Sequence, residues 1–368
     1  MTTNNTVLEQ GSPESVGVSA DRLKRATDHL QSACDKGSIT AASIAVARKG
    51  KLILSDGFGH LQPTAGSPSV EPDSIFLLAS ISKPVAACSM MLLVDRGMVS
   101  LDDPVNQYIP EFVGWDRAKI RICHLLSHTS GMPDMLPENI SLRRTHAPLS
   151  DFVEGAIRTR LLYEPGTSFR YQSKGILLST EIIERVTGER LREFQRHKIF
   201  EPLGMKRSAL GLGSFEIAKT VWCGTTMEEG DDEKSWGQNS PYWRDQGHPW
   251  GGMHSSGPDL AVLLQTILNG GTYGEAEVFS PAACRTMTQN RNRHLNAPWG
   301  LGWALRDSKV WSFFGEITSP STFGHVGGTG TVAWADPERD LICVVLTNQL
   351  DSSLLRRISN TVSASVVD

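Results

Sequence analysis

Two stretches near opposite ends of the chain carry the pattern of β-hairpins, and they limit the fold more than any other feature. "SIAVARKGKLILSDGFG", residues 43–59, is two β-like runs around Lys49-Gly50, a break that returns a strand against itself. "TVAWADPERDLICVVLTN", residues 331–348, repeats the arrangement around Asp336-Pro337. Helical patterns bracket both. Leu23, Ala26, Leu30 and Ala33 recur every three or four residues behind Ser19, a suitable N-cap, with Gly37 as the stop. A last helix-like stretch begins near Leu354. Strand-rich ends with a helix at each terminus predict an α/β (α+β) fold: one antiparallel sheet, built from both ends of the chain and flanked by the terminal helices. The middle differs, because Pro84–Gly97, Lys174–Val186, Glu189–Phe200 and Asp259–Leu268 all read as helices. The expected organisation is a sheet part from residues 1–83 and 291–368, an inserted, mostly helical part from 84–290, and an active site at their junction. Residues 306–320 carry no pattern that assigns them to either element type.

At 368 residues the chain is long enough to bury a large core. Its formal net charge of −4 comes without an acidic or basic block, which gives no footing for nucleic acid or an anionic membrane surface. The longest apolar run, Val85–Val94, is too short to span a bilayer. The opening residues, MTTNNTVLEQGSPESVG, have neither a basic nor an apolar export region, so a cytoplasmic location is expected. The cysteines at 34, 88, 123, 223, 284 and 343 are scattered without a CxxC pair. They read as reduced, buried thiols and not as a disulfide framework.

The chemistry is concentrated in "LLASISKPVAACSMMLL", residues 77–93, where Ser80 and Lys83 open an otherwise apolar helix pattern. Residues three apart share a helix face. A helix start supplies unpaired N–H groups and the positive dipole end, which suit a developing oxyanion. A serine there, with an amine one turn on, has the makings of a nucleophile and its activator. A capping serine beside a surface lysine is the plainer alternative. Pro84 is tolerated in a first turn but biases Lys83 away from α geometry. His124 and His128 have a metal-clamping spacing, yet no acidic or cysteine partner is placed with them. Neither a metal nor a cofactor is expected.

The order of segments along the chain adds to this. "ASISKPVAACSMMLLVDRGMVSLDDPVNQYIPEF", "IRICHLLSHTSGMP", "YEPGTSFRYQSKGILLSTEIIERVTGE", "IFEPLGM", "GGMHSSGPDLAVLL" and "GHVGGTGTVAWADPERDLICVVLTN" follow one another. From about residue 15 onward they resemble the serine β-lactamase-like superfamily: class C β-lactamases, D-alanyl-D-alanine peptidases, D-aminopeptidases and esterases of that fold. The resemblance implies a β-lactamase/transpeptidase-like architecture. It also implies that Ser80 attacks an acyl carbon, that Lys83 and Tyr171 handle its proton, and that the backbone N–H groups of Ser80 and Gly328 form the oxyanion hole. Tyr171-Gln172-Ser173 keeps the tyrosine of the Tyr-x-Asn motif and loses the asparagine. His325-Val326-Gly327 keeps the glycine of the Lys-Thr-Gly strand motif and loses the lysine. A lysine and a phenol each titrate near 10, so each can activate the other as a coupled unit. His325 either donates a hydrogen bond or only fills the space of the family's cation.

These departures bear on the substrate. The missing asparagine, at Ser173, normally meets an amide side chain, and the missing lysine, at His325, normally meets a carboxylate. A neutral imidazole pairs with a carboxylate far more weakly than an ammonium does. The expected activity is therefore a serine hydrolase, foremost a carboxylesterase on small uncharged esters. An amide-directed hydrolase (β-lactamase, D-aminopeptidase or amidase) and an acyltransferase are the alternatives within the fold. A non-catalytic binding module is the alternative outside it. Ser173, His325 and Gly327 are expected to contact the small ester or amide substrate. Residues 224–250 are polar but carry Trp236, Tyr242, Trp243, His248 and Trp250. Aromatics in a solvated loop are costly unless they cover something, so Trp243 and Trp250 are expected to wall the substrate pocket, with a hydrophobic pad remote from the site as the alternative.

Overall fold

The computed structural model describes residues 8–114, 116–224 and 233–368. Its central sheet has seven strands in the order β1-β3-β2-β12-β11-β10-β9. These are β1 (Glu9–Gln10), β2 (Ala41–Arg48), β3 (Lys51–Gly59), β9 (Ala304–Leu305), β10 (Phe323–Gly327), β11 (Thr331–Asp336) and β12 (Leu341–Thr347). The two hairpins form as expected, and Lys49 and Gly50 take the left-handed conformations that a tight turn needs. The ends of the chain are stitched together by the antiparallel pairing of β2 with β12, from Arg48↔Leu341 to Ala42↔Thr347. The two-residue β1 pairs parallel to β3 at the edge.

β2, β11 and β12 are buried along their whole length, because both faces of the sheet are covered. Ile44, Val46, Val332, Trp334, Cys343 and Val345 face the terminal helices, Ala20–Asp35 and Ser352–Ala364. Ser19 caps the first of these by accepting from Arg22 N–H, and the Trp334 indole donates to Ser359 Oγ of the second at 3.0 Å. The alternate residues, Ala45, Ala47, Ala333, Ile342, Val344 and Leu346, belong to a core shared with the helical middle of the chain. That core takes in the helix Ser82–Asp95, which is buried from Ser82 through Leu93, and the helices Leu149–Arg158, Lys174–Thr187 and Gly257–Leu268.

Glu189–Phe200 departs from a plain helix. It runs as Leu191–Gln195 followed by a π-helical turn, Arg196–Phe200. A further element has no counterpart in the sequence pattern. β4 (Phe76–Leu77), β5 (Ala209–Leu210) and β6 (Met253–Ser255) form a three-stranded sheet in the order β4-β6-β5, and β7 (Thr272–Tyr273) and β8 (Ala276–Glu277) form a separate small hairpin. All six cysteines are free thiols. Among the described residues, no helix is long and apolar enough to cross a membrane.

Candidate active site

Ser80 sits in a single 3-10 turn, Ala79–Ile81, directly ahead of the helix Ser82–Asp95. Three sets of contacts hold that turn. β4 runs into it, paired through Phe76↔Ser255 and Leu77↔His254, and Leu78 N–H donates to Met253 O at 2.9 Å. Ser82 Oγ donates to Ala79 O at 2.7 Å and accepts from Met253 N–H at 3.0 Å. From the other side, Thr329 Oγ1 donates to Leu77 O and Thr331 Oγ1 to Leu78 O, both at 2.8 Å. Thr329 lies in the turn between β10 and β11 and Thr331 opens β11, so the Gly327-Gly328 edge is pinned against Ser80. The glycines do different work. A Cβ on Gly327 would stand 2.1 Å from Leu78 O, whereas one on Gly328 would meet nothing within 4 Å. Close approach is required at Gly327, and open space begins at Gly328.

Lys83 Nζ donates to Ser80 Oγ at 2.9 Å and to the Trp250 carbonyl at 3.0 Å. Its helix starts at Ser82, so Pro84 falls in the first turn, where its missing N–H leaves no gap in the ladder. The amine is buried, and desolvation lowers its pKa to about 8 against an opposing pull from Asp134. Tyr171 lies over it, with Nζ 4.7 Å from the ring centroid. Burial pushes the Tyr171 phenol well above its ordinary value, tempered by its contact with Ser80. Among the described residues the hydroxyl meets no partner in full hydrogen-bond geometry. Burial thus eases Lys83 towards its neutral form and holds Tyr171 in its protonated one.

Around Tyr171 the rings of His128, Trp299, Trp311 and His325 lie with centroids 4.7, 5.8, 5.7 and 5.9 Å away. His325 Nδ1 is 2.8 Å from Val326 O. A carbonyl only accepts, so Nδ1 carries the proton and Nε2 has a lone pair to offer. Burial, reinforced by Lys83, lowers its pKa to about 3. The buried imidazole is neutral, its ring 5.9 Å from that of Tyr171, and in this tautomer Nε2 can accept but not donate. His128 is also buried and neutral, since desolvation drives it well below its usual range. Ala79, His128 and Trp311 have φ of 49°, 60° and 53°. Left-handed backbone in residues with side chains is stored strain, and here it surrounds one site.

Ser173 Oγ donates to Asp134 Oδ1 at 2.6 Å, which engages the hydroxyl expected to face substrate. Trp250 does reach the site, though through its carbonyl, while its indole turns back to lie 3.8 Å under Lys174 Nζ. Trp243 stands a layer further away, stacked on His248 at 4.0 Å and beneath Arg143 at 3.9 Å. Residues 225–232 of the aromatic segment lie outside the described residues. His124 Nδ1 accepts from Arg121 N–H at 3.3 Å. Asp134, Lys174 and Trp311 are site residues that motif spacing alone does not pick out.

A serine hydroxyl hydrogen-bonded to an amine of lowered pKa, beside a protonated phenol and a glycine edge, is equipped for acyl transfer through a covalent intermediate. The fold and site together define a serine hydrolase. A family model described as Beta-lactamase matches residues 23–367, and the chain belongs to that family. A Salmonella agona protein named as a D-alanyl-D-alanine carboxypeptidase is 28% identical over 375 residues, covering 93% of this chain and 86% of its own. Among solved structures, EstCE1, titled a hydrolase with promiscuous acyltransferase activity, superposes with a TM-score of 0.77 at 22% identity, covering 95% of this chain and 99% of its own. A family VIII carboxylesterase superposes with a TM-score of 0.75 at 22% identity, over 94% of this chain and 98% of its own.

Proposed function

We propose that this serine hydrolase is a carboxylesterase for small uncharged esters, working through an acyl-enzyme on Ser80. The observation that carries the substrate class is His325, fully buried and neutral at the strand position where a carboxylate-binding cation would stand. The nearest cation, Lys83, is already engaged by Ser80 Oγ and the Trp250 carbonyl, and the carboxylate of Asp134, which holds Ser173, has the wrong sign for a carboxylate ligand. Half-buried Trp311 borders the Tyr171 ring at 5.7 Å, with half-buried Phe313 6.4 Å beyond it, apolar surface of the kind an acyl or alcohol chain requires.

In acylation, Ser80 Oγ bonds to the ester carbon while its proton passes to Lys83 Nζ. The carbonyl oxygen takes up the electron pair and is held by the N–H groups of Ser80 and Gly328. As the intermediate collapses, the C–O bond to the alcohol breaks and Tyr171 O–H supplies the proton to the leaving oxygen. The Tyr171 proton is then restored from Lys83. Water repeats the sequence on the acyl-enzyme and releases the acid. With Lys83 at about 8, its neutral form costs about 1.4 kcal/mol at pH 7, against about 4.6 for a free lysine. Lys83 is therefore the general base and Tyr171 the proton donor.

A panel of chromogenic esters, D-amino acid amides and a cephalosporin on one preparation tests the substrate class. Esters are expected to give the highest kcat/KM, and a fluorophosphonate to label the peptide containing Ser80. A higher kcat/KM on the amides or the cephalosporin turns the assignment to the amide-directed reading. Absence of labelling favours the binding module.

The aromatic residues divide by depth. Trp311→Ala is expected to change the ratio of kcat/KM between short- and long-chain esters by about tenfold, with labelling by the fluorophosphonate at an unchanged rate. Trp243→Ala, a core truncation of about 3–5 kcal/mol, should lower Tm and scale all esters alike. If Trp243→Ala shifts chain-length preference and Trp311→Ala does not, the pocket wall lies on the 233–250 side.

A further inference from the structure

Lys174 is a buried cation that the acylation steps do not use. It opens the helix Lys174–Thr187, one residue beyond Ser173, and its side chain is fully enclosed. Its three N–H bonds find no hydrogen-bond acceptor among the described residues. What it has is the indole face of Trp250, 3.8 Å from Nζ to centroid, with Phe152 beyond at 5.6 Å. The carbonyl of the same Trp250 holds Lys83 Nζ at 3.0 Å. Two amines thus close on one residue, one on its backbone and one on its ring.

The carboxylates facing this pair act at a distance, and among the described residues neither accepts a hydrogen bond from Lys174. Asp134 favours the charged form of both lysines, and Glu138 favours that of Lys174. Lys83 opposes the charge on Lys174. On the far side, His248 is held neutral by burial and by the cations around it, Arg143 and Lys174 among them. Arg143 itself lies across the Trp243 ring. A buried ammonium without acceptors is unfavourable, and a second one nearby makes both worse.

We propose that Lys174 is a positioning residue for the nucleophile, forming with Lys83 a two-amine site around Trp250 that carries one positive charge between them. When that charge sits on Lys174, cradled by the indole, Lys83 is the neutral base that Ser80 needs. The arrangement accounts for a lysine in an otherwise apolar helix start. Burial brings Lys174 to about 7 and Lys83 to about 8, so the shared charge rests mainly on Lys83, the form with it on Lys174 is the smaller, reactive fraction, and the pair titrates as a unit.

The inference rests on the assignment of Lys83 as the base for Ser80, and two measurements separate their fates. In the first, the acid limb of kcat/KM is followed for Lys174→Met, wild type and Lys174→Arg. A permanent guanidinium should hold Lys83 neutral to lower pH, and a thioether should release it to higher pH. The apparent pKa is expected to fall in the order Met, wild type, Arg, with a spread of about one pH unit. A merely structural Lys174 would lower kcat in both variants and leave the limb in place, which overturns the proposal. In the second, 15N-lysine NMR of the wild-type protein, which needs no variant to fold, should show two side-chain signals titrating below about pH 9. One such signal, or none, also overturns it. If Ser80→Ala keeps full activity, the esterase mechanism falls, while the lysine titration still decides the two-amine site.

Discussion

Lys83→Met and Tyr171→Phe are each expected to lower kcat by about 10³–10⁴-fold, and the double variant to lose little more. In the proposed mechanism the two groups sit on one proton path: Lys83 receives the Ser80 proton and Tyr171 delivers a proton to the leaving oxygen. Removing either member interrupts the same path, so the second loss has little left to remove. Both substitutions spare the fold. Methionine fills the volume of the lysine stem, and phenylalanine retains the ring packed against His128, Trp299 and Trp311. The wild-type pH profile carries the same logic. In that mechanism the active form of Lys83 is the neutral amine, whose fraction grows with pH, so kcat/KM should rise through the region near 8. Lys83→Met should retain only a residual rate without that limb. Additive losses in the double variant, measured as kcat on the preferred ester, would show that the two groups act on separate steps.

How much of this was legible in the sequence follows from how each contact is made. Ser80 and Lys83 announce themselves because a three-residue spacing on a helix puts two side chains on one face, and the bond between them is short-range. The sheet was legible because two hairpins with clear turns sit at both ends of the chain. Tyr171 entered through the family resemblance, since no local pattern ties it to a serine ninety-one positions earlier. Trp250 serves the site through its carbonyl, and a backbone contact leaves no mark on residue type. Trp311 lies in a stretch without periodicity and takes a left-handed conformation that its side chain disfavours. β4, β5 and β6 are two or three residues long, too short for a period-two pattern to register. Lys174 was visible as a letter only. Its meaning depends on which ring covers it.

Gly327→Ala is expected to damage both fold and catalysis, and Gly328→Ala to leave stability intact. The two glycines are adjacent, so the contrast isolates geometry from composition. At Gly327 the added methyl would stand 2.1 Å from Leu78 O and 2.2 Å from Thr331 Oγ1. The first of these is backbone of the residue between β4 and the Ser80 turn, and the second belongs to the residue that ties β11 to it. Neither can yield without moving β10 away from the nucleophile, which would also loosen the bond from Thr329 to Leu77 O. Overpacking of this kind costs about 1–3 kcal/mol, and a displaced oxyanion donor costs about 10²–10³ in kcat. At Gly328 a methyl meets nothing within 4 Å, so Tm should hold while the group narrows the space in which the acyl carbon sits. Thermal unfolding and kcat on the same preparations read both effects. Wild-type Tm and kcat in Gly327→Ala would mean that β10 does not press on the nucleophile turn, and the oxyanion role of Gly328 would lose its support.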